Sequence, residues 1–453
     1  MAIKGCYLEV INRAFDKINV TCENVKDGDW ENKKSPADYF NNLEIKKYGS
    51  KSVDVEMDGV ISYDGKFNIS ISLFSENNIV GVFSKLLNIK DGKDHDTNRI
   101  RYFSDEGCAI LITRGLSVER VKGESKNTNM GVFKIEVFDI SKRRFGVIAD
   151  YHLTDEIINE SYPEKFINYL ANIDETPEFI AVCGDLVNDS TKMQQDIKFA
   201  NDFIIPFEDK NIMIAEGFGN HDLWTGIGGT DMPRFIEGRN IEREKEKDTE
   251  NKLNEFSYDK NSPFPQRHYT WTTELHKNEI KVKIHFFMLN NSPGYGGELI
   301  DNKQTDDSQK KQYSSYCSLN YLEESLNINY KDDYKHVAIL FFHLFPDEET
   351  LGEKNIKSYD EITQKSKMKV FSTFFGHKHE HKTLYKNTSI KGFKCTACAK
   401  DKDTEGSEYA NGITFVDMEL KENAILEMTV GYLDDIEKNE YVISKSLSID
   451  LYS

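Results

Sequence analysis

The stretch RRFGVIADYH, residues 143–152, marks the point where the chain changes texture. An apolar run short enough for one strand ends in Asp150 and His152, and a helical stretch follows at Tyr162–Asn172. A second apolar run, FIAVC at 179–183, then ends in Gly184-Asp185. Continuous apolar strands separated by helices indicate an α/β layer architecture, because a strand covered on both faces has no polar side to show. The same reading extends to the C-terminus.

Before this point the pattern is different. Phe67, Ile69, Ile71 and Leu73 alternate with Asn68, Ser70 and Ser72, as Val53, Val55 and Met57 alternate with their neighbours, and likewise Phe133, Ile135 and Val137. Period-two runs broken by Asp64-Gly65 and Asp91-Gly92 predict an all-β antiparallel sandwich over 1–140. A chain of 453 residues exceeds what one core supports, so a second domain, 141–453, is expected, with the boundary at Ile140–Arg144. A solvated charge run, Glu242–Asn254, and a polar, glycine-rich segment, Gly294–Gln312, each read as a surface loop or a lid. No internal repeat is visible.

Composition narrows the partners. A net charge of −19 and a pI near 5.1 oppose a nucleic acid or an anionic membrane as the main partner of the whole chain. No apolar run has the length of a signal peptide or a membrane span, and seven cysteines fall without framework spacing. These features predict a soluble, cytoplasmic protein. Cys395-Thr396-Ala397-Cys398 lacks the second pair of a zinc ribbon and reads as packing.

Five short motifs follow in order, each at the end of an apolar run: Asp150-Tyr151-His152, Gly184-Asp185, Gly219-Asn220-His221-Asp222, His343 after Val337–Phe342, and Gly376-His377-Lys378-His379 after Val370–Phe375. In α/β sheets ligands bind beyond the carboxyl ends of strands, so the five can converge on one crevice. Carboxylates, an amide and imidazoles are the oxygen and nitrogen donors that Mn, Fe and Zn accept. Glycines before Asp185, Asn220 and His377 permit tight turns there. His95, His268, His276, His285 and His336 belong to no motif and read as structural, and His381 is unassigned.

These motifs resemble the five-block signature of the calcineurin-like metallophosphoesterase superfamily over about Phe145–Leu420. The resemblance implies a two-sheet sandwich flanked by helices and two divalent or trivalent metal ions, Mn, Fe or Zn. By motif, Asp150, His152 and His379 hold one ion, Asn220, His343 and His377 the other, and Asp185 bridges them. The run Phe264–Tyr269 is similar to the purple acid phosphatase and class III cyclic-nucleotide phosphodiesterase branches. Purple acid phosphatases carry a tyrosine where Asn188 stands, and serine/threonine phosphatases carry an arginine that Asn188-Asp189-Ser190 lacks, so the broad phosphodiesterase-like branch matches best.

The activity so implied is metal-dependent hydrolysis of a small phosphoester, monoester or diester, by a water held between two cations. His221 is the candidate proton donor or phosphate contact, and Asp222 the carboxylate that would fix its tautomer. A nuclease would want a basic, aromatic-studded groove that this acidic chain does not advertise. The rival of another class is a catalytically silent binding protein, whose residues 1–140 recognise a lipid, glycan or protein. Docking of the N-terminal domain to a membrane or a protein stays open beside either reading.

Overall fold

The structure is a computed structural model that describes residues 5–26, 29–30, 36–47, 49–56, 65–75, 77–89, 98–103, 108–117, 130–153, 161–172, 177–187, 199–208, 212–223, 231–245, 253–259, 268–290, 316–344, 353–377, 382–383, 392–394, 412–433 and 441–452. The chain divides into two compact units, one made of Met1–Ser141 with Asp248–Glu250 and His276–Asn278, the other of the remainder. Cys395–Cys398, Gly294–Gln312, Asn188 and His379 lie outside the described residues.

The first unit contains β1 (Gly5–Asn12), β2 (Lys17–Lys26), β3 (Asp29–Trp30), β4 (Leu43–Lys46), β5 (Ser50–Glu56), β6 (Gly65–Ser75), β7 (Asn78–Ile89), β8 (Asn98–Phe103), β9 (Cys108–Ser117) and β10 (Met130–Asp139). They form a sheet of order β3-β5-β1-β10-β9-β8 and another of order β4-β2-β6-β7. Leu8, Val10, Ile135 and Val137 from one sheet and Ile18, Val20, Ile69, Ile71 and Leu73 from the other are buried in one core. Alternation thus places its apolar set on the inner faces. The expected antiparallel sandwich needs one correction, because β1 pairs with β10 in parallel, Cys6 opposite Gly131 through Asn12 opposite Val137. Alternation fixes which face a side chain takes and says nothing about strand direction.

The second unit has two sheets. In the first, β11 (Lys142–Ile148), β12 (Phe179–Cys183) and β13 (Met213–Gly217) run parallel, continued by antiparallel β21 (Ile413–Leu420), β22 (Ile425–Leu433) and β23 (Tyr441–Asp450). The second has the order β14-β15-β16-β17-β18-β20-β19, from β14 (Asn254–Tyr258), β15 (Tyr269–Lys277), β16 (Ile280–Leu289), β17 (Lys335–Phe342), β18 (Lys369–Phe375), β19 (Lys382–Thr383) and β20 (Gly392–Lys394). Here β16, β17, β18 and β20 are parallel.

Inner-face residues of both sheets share one aromatic core. Phe145 stacks on Phe179 at 5.1 Å, and Trp271 stacks on Phe341 at 5.7 Å. Offset and edge-to-face rings of this kind fill a sandwich that aliphatic side chains alone would leave looser. The outer face of the first sheet, with Ile148, Ile180, Val182 and Ile214, is covered by helices at Ser161–Asn172, Ala200–Glu208 and Asp231–Lys245. The outer face of the second is covered by Tyr316–Leu326 and Glu353–Lys365. Covering on both faces is why FIAVC and MIAEG are buried at every position.

The charged segment beginning at Glu242 is not all solvated loop. Glu242–Lys245 ends the helix Asp231–Lys245, and Arg243 is buried, donating to the buried Glu216 carboxylate at 2.7 Å. Arg239 donates to the other Glu216 oxygen at 2.7 Å, so this helix is tied to β13 by a fully paired buried charge. No described helix is long and apolar enough to cross a membrane.

Candidate active site

The parallel strands β11, β12, β13, β17 and β18 deliver Asp150, Asp185, Asn220, His343 and His377 just past their C-terminal ends. The described site therefore gathers Asp150, His152, Asp185, Asn220, His221, Asp222, His343 and His377, while His379 lies outside the described residues. Ligand atoms of His152, Asp185 and His221 lie within 4.8 Å of one another, and so do those of Asp185, His343 and His377. Asp185 belongs to both groups.

Main-chain hydrogen bonds extend strand pairing past the strand ends and hold these loops in register. The amide of Asp150 donates to Gly184 O at 3.0 Å, that of His152 to Asp185 O at 2.9 Å, and that of Gly376 to His343 O at 3.1 Å. Carboxylates tie the same loops crosswise. Asp150 accepts from the His377 amide at 3.0 and 3.1 Å, and Asp185 Oδ1 from the His221 amide at 2.8 Å. Each motif thus positions another.

Four of these residues adopt left-handed backbone: Asp150 (φ 55°), His152 (φ 47°), Asp185 (φ 52°) and His377 (φ 74°). Such a conformation costs a non-glycine residue about 1–2 kcal/mol and persists only where its surroundings over-determine it. It swings these side chains into one crevice. The glycines before these residues serve in two ways. Gly184 does turn, at φ 82°, but at Gly219 a Cβ would collide with Asp185 Oδ1, so close approach rather than a left-handed bend requires glycine there.

His343 is buried between Cys183 O, 2.8 Å from Nδ1, and two oxygens at Nε2: Asn220 Oδ1 at 2.9 Å and Asp185 Oδ2 at 3.1 Å. The carbonyl takes the Nδ1 proton, which aims the Nε2 lone pair at two further acceptors. That arrangement calls for positive charge between nitrogen and oxygens. Accordingly, although burial alone would lower it, Asp185 pushes the His343 imidazole up to about 9, with Asp150 and the Cys183 carbonyl adding to it. Burial would raise the Asp185 carboxyl, but His343, His152 and His221 hold it well below the usual carboxylate range. His377 Nδ1 reaches the same Asn220 Oδ1 at 3.1 Å, and His152 Nε2 stands 3.8 Å from Asp185 Oδ2. Buried carboxylates ringed by imidazole lone pairs, with a carbonyl fixing one tautomer, are the donor chemistry of a multivalent cation site.

Asp222 has a role its place in the sequence does not reveal. Its buried carboxylate accepts the amides of Gly219 at 2.7 Å, Leu186 at 3.0 Å and Val187 at 3.0 Å, stapling the Asp185 loop to the Asn220 loop. Burial first, and then the Asp185 charge, push its carboxyl up to about 7 against the pull of the three amides. Asp222→Ala would strand three buried donors, partly offset by relief of the buried charge. A net cost on the order of 3 kcal/mol is expected as a lowered denaturant midpoint, with metal binding lost. A wild-type midpoint would contradict the staple.

Against known proteins, the model of the calcineurin-like phosphoesterase family matches residues 143–381. No curated protein matches the chain. Among solved structures, a cold-active protein tyrosine phosphatase of a psychrophile, Shewanella sp., is similar at 14% identity and a TM-score of 0.28, over 86% of this chain and 99% of that one. A second structure of a cold-active protein tyrosine phosphatase is similar at 12% identity and a TM-score of 0.28, over 85% and 96%. At that TM-score neither likeness bears on this chain. The family match spans more than half of the sequence and contains every described residue of the site, and the chain belongs to the calcineurin-like phosphoesterase family.

Proposed function

We propose that the chain hydrolyses a small phosphoester with two metal ions, one held by Asp150, His152 and His379, the other by Asn220, His343 and His377, with Asp185 bridging. The observation that carries this reading is the membership of Asp185 in both ligand groups, each compact enough for one ion. Two bound cations would supply Lewis-acid charge for the phosphate oxygens and would lower the pKa of a bound water.

The chain's own residues do the rest. Asp150 and Asp185 give the buried negative charge that retains the cations, and the main-chain ties keep the donors from relaxing apart. His221, half-buried and edge-on to His152 at 4.6 Å between ring centroids, faces the same crevice. There it can hand a proton to the departing oxygen or orient the phosphate. The Asn188 position, which lacks the purple acid phosphatase tyrosine, supports a phosphodiesterase-like branch. Buried thiols at Cys22 and Cys183 that enter no disulfide support a cytoplasmic setting.

Residues 1–140 we take as a docking module that the chemistry does not need. The test is a panel of nitrophenyl phosphate mono- and diesters with added Mn, run on the full chain and on a chain beginning at Asp139. Metal-dependent turnover of at least one ester by both chains is expected. No turnover of any ester by the full chain would favour a silent binding protein, and activity lost only from the shorter chain would make the first unit part of the enzyme.

A further inference from the structure

Three amides along the Phe218–His221 turn are each held by a side chain. Asp222 takes that of Gly219 and Asp185 that of His221, as above. The third, that of Phe218, donates to Asn290 Oδ1 at 3.2 Å. Asn290 is buried and follows β16, a strand of the opposite sheet. The two sheets come close here because Gly217 has no side chain. A Cβ on it would lie 2.5 Å from Met288 Sδ and 3.2 Å from Asn290 Oδ1.

Asn290 is itself held. Its amide donates to Nδ1 of His268 at 3.1 Å, and His268 is buried at the start of β15 with its ring stacked on Tyr321 at 5.4 Å. Burial lowers the imidazole to about 3, so the ring is neutral. Since Nδ1 accepts, the proton sits on Nε2, where no acceptor meets it among the described residues. A phenyl ring would fill this place without that unmet donor. What the imidazole adds is the Nδ1 acceptor.

We propose that His268 and Asn290 are positioning residues: a buried relay, from His268 through Asn290 to the Phe218 amide, by which the second sheet sets the main chain that carries Asn220. The inference rests on the reading of Asn220 as a ligand of one of two metal ions. Loss of the relay then weakens that ion's site and spares the other. Residues that fix a ligand's orientation typically matter by 10–100-fold in metal affinity, and a relay acting on the ligand's main chain falls at the lower end.

The experiment is Mn titration of the full chain by calorimetry, with unfolding midpoints measured alongside. Asn290→Ala is expected to bind two Mn ions, one of them about tenfold more weakly than wild type. At His268 the side-chain geometry gives a sharper comparison, because an asparagine oxygen can stand where Nδ1 stands and a glutamine oxygen stands nearer Nε2. His268→Asn should bind both ions as wild type does. His268→Gln and His268→Phe should weaken one, which decides the matter even if Asn290→Ala does not fold. Leu322→Ala, a buried change on the far face of the second sheet, should lower the midpoint and leave both affinities alone. Two Mn ions bound with wild-type affinity in Asn290→Ala or in His268→Gln would overturn the relay alone. So would a loss in Leu322→Ala that matches theirs. A wild-type chain that binds fewer than two Mn ions would overturn the two-metal reading and the relay with it.

Discussion

Asp185→Asn is expected to leave the chain folded, strip it of at least one metal ion, and lower phosphoesterase turnover on the order of 10³-fold, the scale of removing a principal electrostatic group from a site. The substitution is nearly isosteric. An asparagine Oδ1 can still accept the His221 amide, which Asp185 Oδ1 now takes at 2.8 Å. What disappears is the charge shared by the His152 and His343 sides of the site, together with the partner that holds His343 up near 9. Circular dichroism and an unfolding midpoint control for folding. Full metal content with normal turnover would remove Asp185 from the bridging position.

His221→Ala should keep both metal ions and slow hydrolysis of esters with poor leaving groups by about 10²–10⁴-fold, the usual range of general acid catalysis. Nitrophenolate needs no proton to depart, so its esters should escape most of that loss. The structure sharpens this test, because a His221 ring nitrogen lies within ligand range of His152 and Asp185. Loss of one ion in the variant, read by elemental analysis, would make His221 a ligand. An equal loss on good and poor leaving groups would make it a phosphate contact.

Much of the catalytic unit could be read from residue pattern, because both of its determinants are local. An apolar run of strand length is visible, and so is the chemistry of the residue that ends it. What joins those ends is tertiary. Nothing near Asp150, His152, Asp185 or His377 announces a left-handed backbone, since the cost is met by ties from other strands, such as the His377 amide on Asp150. Asp222 looked like a partner for its neighbour His221, and its three amide bonds, two of them to residues 35 and 36 positions earlier, could not be seen. Arg243 sat in a run of charges that read as solvated, because its partner Glu216 is hidden in the apolar segment MIAEG. Asn290 ends an apolar strand as the motif residues do, yet its tie to the Phe218 amide crosses between sheets and leaves no pattern around it in the sequence. In the first unit alternation marked the buried faces, but the parallel pairing of β1 with β10 links segments far apart in the chain and leaves no local trace.

The proposed two-metal centre, with Asp185 as its bridge, is tested most directly by counting. The full wild-type chain, reconstituted with Mn and freed of unbound ion by desalting, should carry two metal ions per chain by elemental analysis. One ion or none per chain would contradict it.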